Sequence, residues 1–277
     1  MIPICNLSFM IIIRGTVMKH DIRAVFFDVD GTLLSETTHK MPQSAKKALR
    51  KLRENGILVV VASGRQIDDY DKLPMHDIGF DGYLMCNGGM LLDEHRHMFA
   101  GTPIPKEEMD NLSEIFRLKH IPFAISGMNG RYINFVDDTV RKTHQKINSD
   151  PPRIGTYSGE DVFMVEAYIP EKDMGMLDAF SDCCSITRWN DTGIDIVPKD
   201  SGKTSGIMKF LEKHNLTSDQ IMVFGDGEND MEMISYAGIG VAMGNAIDKV
   251  KEVADYVTDP VDNDGIEKAL KHFNLID

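Results

Sequence analysis

The chain has 277 residues, 42% of them hydrophobic and 26% charged, which is the make-up of an ordinary globular protein with room for two domains. Its 30 basic and 43 acidic side chains give a net charge of −13, which argues against a sequence-independent nucleic-acid binder. No apolar run reaches the length of a membrane helix, so no membrane partner is expected.

Near the start, Phe9-Met10-Ile11-Ile12-Ile13 is apolar but too short to span a bilayer. No basic residue precedes it and no small-residue cleavage site follows, so it does not read as a secretory signal. Residues 1–17 are expected to be a dispensable extension ahead of the first core strand. The cysteines Cys5, Cys86, Cys183 and Cys184 lack CxxC spacing and read as reduced thiols of a cytoplasmic protein. His95-Arg96-His97 lacks a third nearby ligand and reads as a polar loop.

From Arg23 the chain alternates strand and helix. A strand at 24–27 runs into Asp28-Val29-Asp30-Gly31-Thr32, and a helix at 44–54 starts after Pro42 and stops at Asn55-Gly56. The continuous apolar run 57–62 predicts a strand buried on both faces, ending in Ser63-Gly64-Arg65. Another strand at 82–86 closes on Asn87-Gly88-Gly89.

Between 88 and 190 the pattern changes to hairpin strands (90–92, 123–126, 132–135, 162–169) and helices at 106–118 and 171–180, separated by prolines. The alternation resumes after 194–197, with a helix at 202–214, a strand at 221–224, a helix at 229–237, a strand at 239–242 and a last helix at 265–272. The expected fold is α/β: a Rossmann-like parallel-sheet core over 18–87 and 191–277, with an inserted α+β cap domain at 88–190.

Two acidic clusters each follow a buried strand: Asp28 and Asp30, then Asp226 and Asp230 within Gly225-Asp226-Gly227-Glu228-Asn229-Asp230. Open α/β folds place their sites at the carboxyl edge of the sheet. Carboxylates gathered there raise one another's pKa, and a hard divalent cation with oxygen ligands, Mg²⁺, resolves the conflict. Each motif alone has a bland reading: Asp30-Gly31 and Ser63-Gly64 as turns, Lys203 as a solvated lysine, Asp226 to Asp230 as a helix cap.

Taken in order, Asp28-Val29-Asp30-Gly31-Thr32, Ser63, Lys203 and the Gly225–Asp230 segment resemble the haloacid dehalogenase superfamily phosphatases. The large insertion between Ser63 and Lys203 resembles the Cof-type subgroup. The resemblance covers the chain after about Arg23 and implies a Mg²⁺-dependent phosphatase acting through an aspartyl-phosphate.

In that chemistry Asp28 is the nucleophile and Asp30 the acid and base. The metal is held by Asp28, the Asp30 carbonyl and Asp226, with Asp230 supporting it. Ser63 and Lys203 contact the phosphoryl group, together with Gly31, Thr32, Gly64 and Asn229. Arg65 and Asn87 stay open between function and local structure, and Met231 and Met233 read as packing.

Ser201-Gly202-Lys203-Thr204 fails as a phosphate loop because Val197 stands where glycine is required. The glycines between Gly238 and Gly244 have the wrong spacing for a dinucleotide fingerprint. A phosphomutase with the same nucleophile, or a silent phosphoryl-dependent binding module, are the competing readings. A sizeable cap favours a small phosphorylated metabolite as substrate, with Tyr132, Asn134, Arg188 and Trp189 as candidate selectors. Monomer and dimer both remain open.

Overall fold

The computed structural model describes residues 21–277 apart from 76, 147–148, 181 and 189, so the extension expected at 1–17, Cys5 and Trp189 lie outside the described residues. Strand β1 (Ala24–Phe27) is buried throughout and leads to helix α1 (Gln43–Glu54), β2 (Leu58–Ala62), the short α2 (Ile67–Tyr70) and β3 (Gly82–Met85). The pair β4 (Met90–Asp93) and β5 (Met98–Gly101) follows.

Then come α3 (Lys106–Leu118), β6 (Phe123–Gly127), β7 (Gly130–Ile133), α4 (Asp138–Lys146) and β8 (Arg153–Ile154). Strands β9 (Val162–Tyr168), β10 (Cys184–Arg188) and β11 (Gly193–Pro198) complete this part. The chain returns with α5 (Lys203–His214), β12 (Ile221–Gly225), α6 (Met231–Tyr236) and β13 (Ile239–Ala242). It closes with α7 (Asp248–Val253), β14 (Tyr256–Val257) and α8 (Gly265–His272).

Eight strands form one sheet in the order β14-β13-β12-β1-β2-β3-β4-β5, parallel from β14 to β3 and antiparallel at β4 and β5. Successive side chains of a strand point to opposite faces, so both faces of this sheet need cover. Val25, Phe27, Val59 and Val61 pack with residues of α1 and α8 on one side. Ala24, Phe26, Val60 and Ala62 pack with α5, α6 and α7 on the other. The continuous apolar runs of β1 and β2 are the consequence.

The chain runs from β1 outward through β2 and β3, then returns to place β12 on the opposite flank of β1. The gap between β1 and β12 is therefore a topological switch point, where loops leave in opposite directions and open a crevice at the carboxyl edge.

The second sheet has six strands in the order β10-β11-β9-β6-β7-β8. One face packs Phe123, Ile125, Val165, Ala167, Ile194 and Ile196 against Met109, Leu112 and Phe116 of α3. From the opposite face, Met164 reaches into the core cluster of the larger sheet.

Three local expectations differ from the structure. Strand β4, expected inside the insert, hydrogen-bonds to β3 and extends the core sheet. Strand β11, expected to reopen the core, pairs with β9 and β10 in the second sheet. Short apolar strands carry no mark of which sheet they will join, so this was invisible locally. The segment Glu171–Phe180 is a 3-10 rather than an α-helix; it follows Pro170 and contains Gly175, both poor continuations for an α-helix. Among the described residues, no helix is long and apolar enough to cross a membrane, and Cys86, Cys183 and Cys184 form no disulfide.

Candidate active site

β1 and β12 are parallel neighbours with Phe27 in register with Phe224, so Asp28 and Asp226 leave adjacent strands at the same edge. The ladder continues one step further, with the Asp28 N–H donating to the Phe224 carbonyl at 3.0 Å. The segment then turns through Glu228–Asp230 and brings Asp230 back beneath the same edge. Oxygens of Asp28, Asp226 and Asp230 all lie within 4.8 Å of one another.

Each carboxylate is held by specific donors. Lys203, the first residue of α5, is 3% exposed; its Nζ donates to Asp28 Oδ1 at 2.5 Å and to Asp230 Oδ1 at 2.6 Å. Asp230 Oδ2 accepts from the backbone N–H groups of Asp226 and Gly227, both at 2.9 Å. With three hydrogen bonds accepted, Asp230 holds the loop and the lysine in place. Asp226 Oδ1 accepts from Thr32 Oγ1 at 2.7 Å, which ties the two acidic loops together.

Gly31 makes that approach possible. Its φ is +81°, and a Cβ there would stand 2.1 Å from Asp226 Oδ2. No other residue type fits both the backbone and the space.

Burial raises the pKa of Asp28 well above the usual carboxylate range, and Asp230, Asp226 and Asp30 add to the rise while Lys203 opposes it. Burial likewise pushes Asp226 up to about 7, with Asp230 and Glu36 contributing and Thr32 and Lys203 opposing. One ammonium does not satisfy three carboxylates in so dry a place. The donor set is entirely oxygen, which fits a hard divalent cation between Asp28 and Asp226.

Asp30 stands apart from this cluster. Its carboxylate is gripped by Arg65, Nε to Oδ2 and Nη2 to Oδ1, both at 2.7 Å. Ser63, at the end of β2, is 1% exposed, and its Oγ accepts from the Arg65 N–H at 3.1 Å. Gly64 lies against Asn87, whose Oδ1 accepts from Asn229 Nδ2 at 3.2 Å. Asn87 Nδ2 reaches Asp195 of the second sheet at 3.0 Å. Asn87 is thus a bridge between the sheets, and Arg65 is an ion-pair partner; α2 is capped by Gln66, not Arg65.

Sequence reasoning missed Asn245. Its Nδ2 donates to the Gly31 carbonyl at 2.8 Å and lies 3.4 Å from Asp226 Oδ2, while its Oδ1 accepts from the Val261 N–H at 3.0 Å. The available signal was its position just beyond β13, another strand end at the same edge.

The cap-side candidates also change. Tyr132 bonds Glu160 within the second sheet's own apolar cluster. Asn134 is buried and holds the Phe123 N–H and the carbonyls of Phe116 and Ile121. Arg188 ties together the carbonyls of Ile169, Asn190 and Asp191. All three support the second sheet. Arg131, one residue before Tyr132, faces the other way and bonds Asp69 of α2 at 2.7 Å and Glu166 of β9 through two nitrogens. The one-residue offset along a strand decides which face a side chain takes.

Residues 25–270 match the family model for haloacid dehalogenase-like hydrolases. The solved structure of BT1666 from Bacteroides thetaiotaomicron, described among phosphatases of the haloalkanoate enzyme superfamily, superposes with a TM-score of 0.83 at 33% identity, covering 97% of this chain and all (100%) of that one. BT4131, described as a subclass IIB sugar phosphatase, superposes with a TM-score of 0.79 at 31% identity over 92% of this chain and 100% of its own. The 5-amino-6-(5-phospho-D-ribitylamino)uracil phosphatase YcsE of Bacillus subtilis (strain 168) is 28% identical over 261 residues, 92% of this chain and 97% of that protein. The chain belongs to the haloacid dehalogenase-like hydrolases, in the Cof-type subgroup.

Proposed function

We propose that this hydrolase is a Mg²⁺-dependent phosphatase of small phosphorylated metabolites, working through a phosphorylated Asp28. The observation that carries the reading is the clustering of Asp28, Asp226 and Asp230 at the switch point, with the buried Lys203 ammonium bonded to Asp28 and Asp230. A phosphate monoester resists attack because it is a dianion, so charge neutralisation and alignment are the tasks of a catalyst.

Asp28, Asp226 and the carbonyl of Asp30 would hold the metal, which when bound neutralises charge on the phosphoryl oxygens. Asp28 attacks phosphorus while the ester oxygen leaves with a proton from Asp30. Water then attacks the same phosphorus, Asp30 takes its proton, and the Asp28 carboxylate is released. Lys203 neutralises Asp28 and the phosphoryl group in both steps. The Ser63 hydroxyl, whose oxygen already accepts from Arg65, has its hydrogen available for a phosphoryl oxygen. Gly31, Thr32, Gly64 and Asn229 are the further groups assigned to the phosphoryl oxygens in this reading.

A small substrate is supported by the second sheet's contact with a loop of the site, through Asp195 and Asn87, and by the relatives' names, which specify a sugar phosphatase and a phosphoribitylamino-uracil phosphatase. The test is phosphate release across a panel of metabolite phosphates with and without Mg²⁺. Asp28→Asn should lower turnover by at least ~10³-fold, as loss of a covalent nucleophile does. Retained turnover in that variant, or isomerised product in place of free phosphate, would refute the reading.

A further inference from the structure

The turn after β3 is given no task by the proposed reaction, yet it meets three stretches of chain that supply the site. Cys86, Asn87 and Gly88 take φ values of +53°, +52° and +81°, three left-handed residues in succession. Asparagine and glycine tolerate that region and cysteine does not favour it; such backbone persists only where its surroundings hold it. Here the surroundings are the site. The Cys86 and Asn87 N–H groups donate to the carbonyls of Arg65 and Ser63, both at 3.0 Å. A Cβ on Gly88 would stand 2.1 Å from the Gly202 oxygen and 3.2 Å from the Lys203 Cα, so the turn is pressed against the start of α5. Between these contacts the Asn87 side chain accepts from Asn229 and donates to Asp195 of β11 in the second sheet.

Resting on the phosphatase reading, we infer that Asn87 is a positioning residue through which the second sheet sets the alignment of Ser63, Lys203 and Asn229. No bond of the reaction passes through Asn87 itself. A carboxylate can only accept, so Asp195 fixes which end of the amide is Nδ2, and the Oδ1 end is thereby presented to Asn229. The amide is planar, so moving its anchor in the second sheet turns both ends together. The backbone of the same residue is bonded to Ser63, and its neighbour Gly88 abuts the residue before Lys203. A displaced Asn87 therefore shifts the end of β2 and the start of α5 as well. Small misplacements of groups that must be aligned are costly to turnover. Asp195 thus acts on turnover through Asn87, whatever the leaving group is.

The experiment is a double-mutant cycle on kcat with acetyl phosphate and Mg²⁺, repeated with the best ester of the metabolite panel. Acetate is a small leaving group, so direct contacts to the second sheet contribute least with it. Asn87→Gly keeps the left-handed backbone and removes only the side chain; it should lower kcat at least ~10-fold while KM changes by less than ~2-fold. Asp195→Ala should lower kcat by ~3-fold or more, and adding it to Asn87→Gly should bring no further loss. Effects that multiply, an effect of Asp195→Ala on KM alone, or full kcat in Asn87→Gly would each overturn the inference. If Asn87→Gly fails to fold, Asn229→Ala takes its place in the cycle, because Asp195 and Asn229 meet through Asn87; effects that multiply there would overturn the inference equally. Absence of phosphate release from every ester by the unaltered chain would instead sink the phosphatase reading itself.

Discussion

Lys203 Nζ lies 2.5 Å from Asp28 and 2.6 Å from Asp230, so one buried ammonium is shared by two carboxylates from separate loops. Its own pKa is raised above the usual lysine value: burial opposes the charged form, but Asp230 and Asp28 outweigh it. Removing one partner of such a cluster leaves uncompensated charge in a dry site. Lys203→Met should therefore destabilise the fold by roughly 3–5 kcal/mol, read by denaturant unfolding without metal. Adding Asp230→Asn should recover part of that loss, because it removes one of the stranded charges. A single variant as stable as the parent would contradict the shared-counterion account.

Asn245 braces both the Gly31 loop and Asp226. Partners that orient a metal ligand typically matter by about 10–100-fold in affinity. Asn245→Ala should weaken binding of Mn²⁺ by about tenfold or more, measured by paramagnetic resonance or calorimetry independently of turnover. Unchanged affinity would reduce Asn245 to a structural link to Val261.

Arg131 pairs with Glu166, which is 6% exposed, and with Asp69 across the gap between the two sheets. The two contacts should separate by substitution. Arg131→Met strands Glu166 and should cost roughly 3–5 kcal/mol. Asp69→Asn leaves the inner Arg131–Glu166 pair intact and should therefore cost less than Arg131→Met. Equal stability losses in unfolding curves would show that the pairs do not act separately.

His144 is 1% exposed and lies between Ser149 and the Tyr168 hydroxyl. Burial, assisted by the nearby Arg131 charge and opposed by Asp69, lowers its pKa from 6.5 to about 4. The unfolded chain takes up a proton below about pH 6.5 that the folded chain refuses until about pH 4. Its contribution is thus complete above 6.5 and is lost as the pH falls toward 4, by up to roughly 3 kcal/mol. His144→Gln should flatten the stability difference between pH 7.5 and pH 5; an unchanged slope would assign the acid sensitivity to other groups.

Much of this protein is legible in one dimension. β-branched apolar runs such as Val59–Val61 read as strands covered on both faces, and acids placed directly after two such strands emerge at a sheet edge. The order of Asp28, Ser63, Lys203 and Asp226 carries the family resemblance, because the chemistry needs those groups whatever lies between them.

What the tertiary structure decided is which elements become neighbours. The return of β12 to the flank of β1 put Asp226 beside Asp28, and pairing alone assigned β4 to the core sheet and β11 to the other. The partners of Asp30 and Asp226 were equally hidden. Arg65 is 35 residues from Asp30 and Asn245 is 19 from Asp226, and neither a guanidinium nor an amide shows in sequence whether it will face solvent or a carboxylate. Strand periodicity states that alternate residues take opposite faces, but only packing says which face meets α2, and that put Arg131 there in place of Tyr132.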